Sequence, residues 1–279
     1  MDRLLRAIGV VAFGSVVGAL LLGASVRPPA PPPNPRAAQA RLQGVLKIGI
    51  DPSYPPIASL DSRGNLSGFD VDVAVELARR LNVRPDFIGM DIGALFDGLL
   101  QRRFDIIISG IPPLPEYRRD VIYSAPYFNA GQVILVRAGT APPPGPAALR
   151  GTIAVELGST GEIEGRRLAA GGHIAVLTRD SPAAVVAAVR DGQASAGILD
   201  RLSAVEAAGP TSGVVIAGPP FTLEPFVVAA RRGDEGLLVE IDAMLAAMRA
   251  DGTLDRIEAK WLRPGGLDAV NGPRPAASP

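Results

Sequence analysis

From residue 45 to residue 262, short apolar runs alternate with stretches of helical period. Val45 to Ile50 is strand-like and ends at Asp51, where Asp51-Pro52-Ser53-Tyr54-Pro55-Pro56 opens a turn-rich loop. Asp61-Ser62-Arg63-Gly64 reads as a hairpin turn. Asp70 is placed to cap a helix whose inner face is Ala74, Leu77, Ala78 and Leu81, the i, i+3, i+4, i+7 pattern. Arg84 to Ile88 reads as a short strand, and Asp91 caps a second helix with Leu95, Phe96, Leu99 and Leu100 inward. Asp105-Ile106-Ile107-Ile108-Ser109-Gly110 then reads as a fully buried parallel strand ending in a polar loop. The order β-α-β-α-β predicts a parallel sheet with right-handed crossovers.

After Pro142-Pro143-Pro144-Gly145-Pro146 the pattern repeats. Thr152 to Glu156 is a strand, and Gly158-Ser159-Thr160-Gly161 leads into a helix through Arg167 and Leu168. Ile174 to Leu177 is a strand, Ser181-Pro182 starts a helix through Val189, and Ala196 to Leu199 is a strand closing at Asp200. The run from Gly98 to Ile107 finds its echo in the run from Ala188 to Gly197. Gly131 to Val136 and Phe226 to Ala230 bracket this second unit, and both are expected as paired crossover strands forming a hinge. Helices near Glu235–Met248 and Leu254–Trp261 follow, the latter with Thr253 as its cap. The organisation expected is therefore α/β: one lobe from residues 44–133 and 222–263, a second from 134–221, and a loose tail over 264–279.

Composition narrows the function. Lys and Arg number 28 and Asp and Glu 28, so no bulk field draws nucleic acid. Cysteine is absent and His173 is the single histidine, which excludes disulfides, a Cys nucleophile and thiolate metal sites and leaves little for a His-rich one; no cofactor or metal is expected. Ala7 to Val26 is apolar and uncharged after Arg3 and Arg6. A run of roughly 20 such residues can cross a bilayer, so residues 1–27 are expected as a signal or membrane anchor with the remainder outside. Residues 28–43 then form a stiff Pro-rich tether.

In open parallel sheets, ligands sit beyond the carboxyl ends of the strands. Asp51 and Ser109 lie at such ends in the first unit, with Tyr54 in the adjoining loop able to lay its ring over a ligand. Asp200 stands at the matching end in the second, and Ser159 and Thr160, at a helix start, offer an anion-binding corner or a simple N-cap. Two facing lobes would line one cleft with these residues.

The chain resembles the extracytoplasmic solute-binding proteins of ABC importers, the polar amino-acid-binding family, over about Leu46 to Leu262. The resemblance rests on Ile48-Gly49-Ile50-Asp51-Pro52-Ser53-Tyr54-Pro55-Pro56, Gly68-Phe69-Asp70-Val71-Asp72-Val73-Ala74, Phe104 to Gly110, Tyr123-Ser124-Ala125-Pro126-Tyr127-Phe128, Gly158-Ser159-Thr160, and Ala250-Asp251-Gly252-Thr253-Leu254 through Lys260-Trp261-Leu262. It implies a two-lobed periplasmic-binding-protein-like fold of type II, each lobe a mostly parallel sheet flanked by helices, joined by two hinge strands and closing on its ligand. It also implies a monomer working with a membrane permease, outside the cytoplasm and without catalysis. By position, Asp51 and Asp200 receive a ligand ammonium, Tyr54 packs on its side chain, and Ser109, Ser159 and Thr160 hydrogen-bond its polar ends.

Departures from the family pattern cluster after the strand at 105–109, where the usual loop resembles S-G-x-S-x-T-x-E-R. Here it reads Ser109-Gly110-Ile111-Pro112-Pro113-Leu114-Pro115-Glu116-Tyr117, and Pro112, Pro113 and Pro115 have no amide N–H. Tyr117 stands where the family places the arginine that pairs with a ligand carboxylate; either Arg118 substitutes for it, the ligand being a small cationic or zwitterionic metabolite, or the ligand has no α-carboxylate. Ile92 falls where an aromatic platform is common, and Gly110 and Ile111 complete the expected binding loop. Two other readings remain open. One is a dehydratase-like enzyme on the same fold, with Glu162 or Glu224 as its acid or base, although both are more readily a first-turn helix acid and a hinge salt-bridge partner. The other is a ligand-sensing subunit for a separate membrane receptor.

Overall fold

A computed structural model describes residues 44–262. The apolar segment, the tether and the tail expected over 1–27, 28–43 and 264–279 lie outside the described residues. No helix among the described residues is long and apolar enough to cross a membrane.

The chain runs β1 (Val45–Ile50), β2 (Ser53–Tyr54), β3 (Ala58–Leu60), β4 (Leu66–Ser67), α1 (Phe69–Leu81), β5 (Arg84–Gly89), α2 (Ile92–Leu100), β6 (Ile106–Ile107), β7 (Val121–Tyr123), β8 (Phe128–Asn129) and β9 (Gln132–Arg137). It continues through β10 (Gly151–Glu156), α3 (Thr160–Ala169), β11 (Ile174–Arg179), α4 (Pro182–Arg190), β12 (Ala196–Asp200), α5 (Arg201–Ala207), β13 (Val214–Ile216), β14 (Pro225–Phe226), β15 (Ala229–Arg231), α6 (Glu235–Ala250) and α7 (Thr253–Trp261).

Two five-stranded sheets form, ordered β5-β1-β6-β15-β7 and β11-β10-β12-β9-β13. In each, the first strand of a β-α-β-α-β unit pairs in parallel with the second and third. One strand in each runs against the rest: β15 in the first sheet and β9 in the second. Both reversed strands belong to the segments that carry the chain between lobes, so each sheet is completed by a crossing. The pairing across the crossover is not the expected one. Gln132–Arg137 lies inside the second sheet and Ala229–Arg231 inside the first, while β8 and β14 pair antiparallel between them, Phe128 opposite Phe226. The apolar character of 131–136 and 226–230 reflects burial within two different sheets.

The helices form where the period placed them. Ala74, Leu77, Ala78 and Leu81 are buried, and Asp91 caps α2 by accepting from the Gly93 amide at 2.9 Å. Leu100 is an exception, 39% exposed at the helix end. Ser181 caps α4 through the Ala184 amide, with Pro182 at its first turn. Thr253 does not cap α7; its hydroxyl donates to Asp251. The Asp61 turn closes as expected, its carboxylate accepting from Arg63 and Asn65. Buried apolar layers cover both faces of each sheet, including Phe69, Leu77 and Ile108 against Leu95, Phe96 and Phe104 in the first lobe. In the second, Val185 and Val189 pack opposite Ile153 and Ile198.

The internal echo extends to backbone conformation. Both helices end with a left-handed residue, Arg102 at φ 63° and Gly192 at φ 77°. In both, the next amide reaches back to the helix, Arg103 to the Gly98 carbonyl and Gln193 to the Ala188 carbonyl. Glycine adopts this conformation freely, whereas a residue with a Cβ is strained in it by about 1–2 kcal/mol. Replacing Arg102 with Gly is expected to raise stability by about 0.5–1 kcal/mol after the greater entropy of unfolded glycine is counted. Urea denaturation of the two chains checks this; an unchanged or lower midpoint contradicts it.

Candidate functional site

The carboxyl ends of β1 and β6 meet as the parallel arrangement requires. Ser109 Oγ accepts the Asp51 amide at 2.9 Å, joining the two strand ends. The Asp51 carboxylate accepts from the Ser53 amide at 2.9 Å and the Ile92 amide at 2.8 Å. Burial pushes the Asp51 carboxyl upward, but hydrogen bonds from Ser53 and Ile92 outweigh it and hold it below its ordinary value. Asp51 is therefore a fixed negative charge at the edge of a cavity of about 560 Å³, whose wall includes Tyr54, Ile92, Ser109, Gly110, Ile111 and Tyr117.

Behind this wall is a residue whose role the local pattern hid. Asp70 does not cap α1, where Gly68 occupies the cap position; it is fully buried. Its carboxylate accepts from the Gly110 amide at 2.5 Å and the Tyr127 hydroxyl at 2.8 Å. Burial pushes its pKa up to about 7, against the lowering effect of the Tyr127 and Gly110 bonds. Gly110 takes φ 59°, and a Cβ there would press within 3.3 Å of Ile57 and Phe226. Asp70, Tyr127 and the aromatic group of Phe69, Phe128 and Phe226 thus anchor the loop that carries Ser109.

Asp200, at the end of β12, caps α5, accepting from the Leu202 and Ser203 amides at 3.1 and 3.0 Å. It lines a second cavity of about 460 Å³ together with Glu224, Phe226, Tyr54 and Pro112. Asp51 and Asp200 thus open onto adjoining hollows that share Tyr54 and Pro112. Partial burial raises the Tyr54 phenol, and the Asp200 and Asp70 charges add to the effect.

Other expected site residues are placed differently. Ser159 is occupied as the α3 cap, accepting from the Glu162 amide at 3.1 Å and donating to the Glu156 carbonyl at 2.8 Å. Neither it nor exposed Thr160 lines either cavity. Glu162 puts a negative charge at the expected anion corner, its carboxylate accepting the Gly158 amide at 2.7 Å; Glu162 is the first-turn helix acid expected of it. Arg118 is exposed and off both cavity walls. Tyr117 faces the cavity instead, stacked on Phe96 with centroids 4.1 Å apart at 11°. A shift of one position in a 3₁₀ turn over Pro115–Tyr117 decides this, and no local pattern reveals it. Among the described residues Glu224 has no hinge salt-bridge partner; its carboxylate accepts from Gln132 at 3.0 Å and the Thr222 hydroxyl at 3.3 Å. Phe96 and Glu116 are wall residues that sequence reasoning missed, Phe96 because its inward periodicity reads as core alone.

Comparisons with known proteins agree with the family and the two-lobed fold. The family model of bacterial extracellular solute-binding proteins, family 3, matches residues 46–264. The L-cystine-binding protein of Escherichia coli is 29% identical over 223 residues, 79% of this chain and 83% of that one. A solved ancestral cationic amino acid solute-binding protein is similar at 31% identity and TM-score 0.61, covering 82% of this chain and 100% of the other. A solved ancestral cyclohexadienyl dehydratase is similar at 25% identity and TM-score 0.71, covering 84% and 98%.

Two outcomes follow from the placement of Asp70 and Arg118. A carboxyl with a raised folded pKa binds more protons folded than unfolded, so its contribution is full below the unfolded value near 4 and is lost as pH rises through about 7. Relative to the native chain, Asp70→Asn should therefore melt progressively higher as pH goes from about 4 to about 7, then level off. A pH-independent difference in melting temperature would refute this. Arg118→Ala should leave ligand affinity within about twofold by calorimetry, since an exposed side chain off the wall contributes little; a larger loss would place it in the closed site.

Proposed function

We propose, for a chain that belongs to the bacterial extracellular solute-binding proteins of family 3, that it is the extracytoplasmic substrate-binding component of an ABC importer. It takes an amino acid or related small amine between its lobes, closes about the β8–β14 crossover, and hands its ligand to a membrane permease. We place the apolar segment 7–26 as its export signal or anchor, and it works as a monomer. Family membership and the amino-acid ligands in the names of similar proteins support this reading.

One observation carries it: carboxylates at the strand ends of two different sheets, Asp51 and Asp200, border cavities that share Tyr54. An ammonium placed there makes charge-assisted hydrogen bonds and lies against an aromatic face. The likeness to a dehydratase keeps an enzyme on the same fold as the second reading. Binding is favoured because Glu162 lies off both cavity walls, paired with Arg166, and the Glu224 carboxylate is taken up by Gln132 and Thr222.

A thermal-shift screen of the full chain against amino acids and amines tests the reading. Ligand at about a hundred times its dissociation constant adds about 2.7 kcal/mol. For the best ligand, Asp200→Asn keeps a competent helix cap but removes the charge, and should cost about 2 kcal/mol, roughly thirtyfold in affinity. A folded variant with unchanged affinity, or conversion of the ligand during incubation, would reject it.

A further inference from the structure

Every ionisable side chain on the two cavity walls other than tyrosine is an acid. Asp51 and Glu116 stand in the first cavity, and Asp200 and Glu224 in the second. Among the described residues neither wall includes Lys, Arg or His. Pro112 lines both hollows and Pro113 the second, and proline has no N–H to offer an anion. Across the cleft, the start of α3 carries a further carboxylate, Glu162, which accepts the Gly158 amide and pairs with Arg166. Glu156 lies near Asp200, and burial together with that charge raises its carboxyl. A ligand carboxylate would meet like charge in either lobe with no cation to receive it. The walls also carry apolar surface: the Phe96–Tyr117 ring pair in the first cavity, and Tyr54 where the two cavities meet.

We propose that the ligand is a linear dication with an apolar middle and no carboxylate, an α,ω-diamine or guanidino-amine. One cationic end faces Asp51 and Glu116, and the other faces Asp200 and Glu224. The inference rests on the binding reading above and narrows its ligand class. Four acceptor carboxylates shared between two ends compensate the cost of desolvating two cations, and the Tyr54 ring adds a cation–π or apolar face to the methylene chain. The cavities, about 560 and 460 Å³, have room for such a molecule.

Calorimetry on the full chain with matched pairs isolates the carboxylate: lysine against cadaverine, ornithine against putrescine, arginine against agmatine. The expected result is that at least one amine binds about tenfold or more tightly than its parent amino acid, and that butylamine binds about tenfold more weakly than putrescine. Glu116→Gln, at an exposed loop position, should weaken the diamine several-fold without lowering the melting temperature. Parent amino acids that bind as tightly as their amines would overturn this inference and leave the binding reading standing. Butylamine equal to putrescine would overturn the second cationic end. No binding by any amino acid or amine would overturn both the inference and the ligand class it refines.

Discussion

A carboxylate withdrawn from water, that of Asp70, holds the loop after β6 in place. Burying such a group is costly unless its oxygens are satisfied, and here each oxygen has a donor. One belongs to the loop, through the Gly110 amide, and the other to the segment entering the crossover, through Tyr127. Helix α1, the loop and the crossover are therefore fastened at one point. With Gly110 held, Ser109 Oγ is in position for the Asp51 amide, and Asp51 in turn holds the Ser53 and Ile92 amides. The first wall of the site is the outer end of a hydrogen-bond chain that begins in the core, where low dielectric strengthens each link.

The lobes depend on each other for completion. Each sheet receives its reversed strand from a segment that has just left, or is about to leave, the other lobe. The crossover between them is short, two residues paired on each side, and it lies over the Phe69, Phe128 and Phe226 aromatic group. Arg201, at the start of α5, sits 4.8 Å over the Phe128 ring and pairs with Glu258 of α7, linking the second lobe to the last helix of the first. The pair is partly exposed and worth little as a salt bridge alone. Its stem and ring contact give it a role in packing.

Acidity is the chemical signature of the cleft, although the chain as a whole is neutral, with 28 basic and 28 acidic residues. Arginines are frequent but engaged elsewhere: Arg231 with Asp234 in the core, Arg166 with Glu162 on a helix face, Arg232 with the Arg118 and Arg119 carbonyls. The cavity walls are thus acidic although the net charge is zero, because net charge averages over a surface and a concave wall does not.

Sequence alone determined the two β-α-β-α-β units, the last two helices and the strand ends, but not α5, β7, β8 or β13. The faces of α1 and α2, the caps at Asp91 and Ser181 and the Asp61 turn rest on interactions within a few residues, which period and turn chemistry encode directly; the same patterns put Asp51, Ser109 and Asp200 at strand ends, although long-range bonds hold Asp51 and Ser109 there. Tertiary structure decided the rest. Asp70 turned inward to partners 40 and 57 residues away, Ser159 capped its own helix, and Tyr117 rather than Arg118 faced the cavity. The strands at 132–137 and 229–231 joined separate sheets. In each case more than one local solution was open to the side chain or strand. The choice was made by which buried polar group still needed a partner, and that need exists only once the lobes have packed.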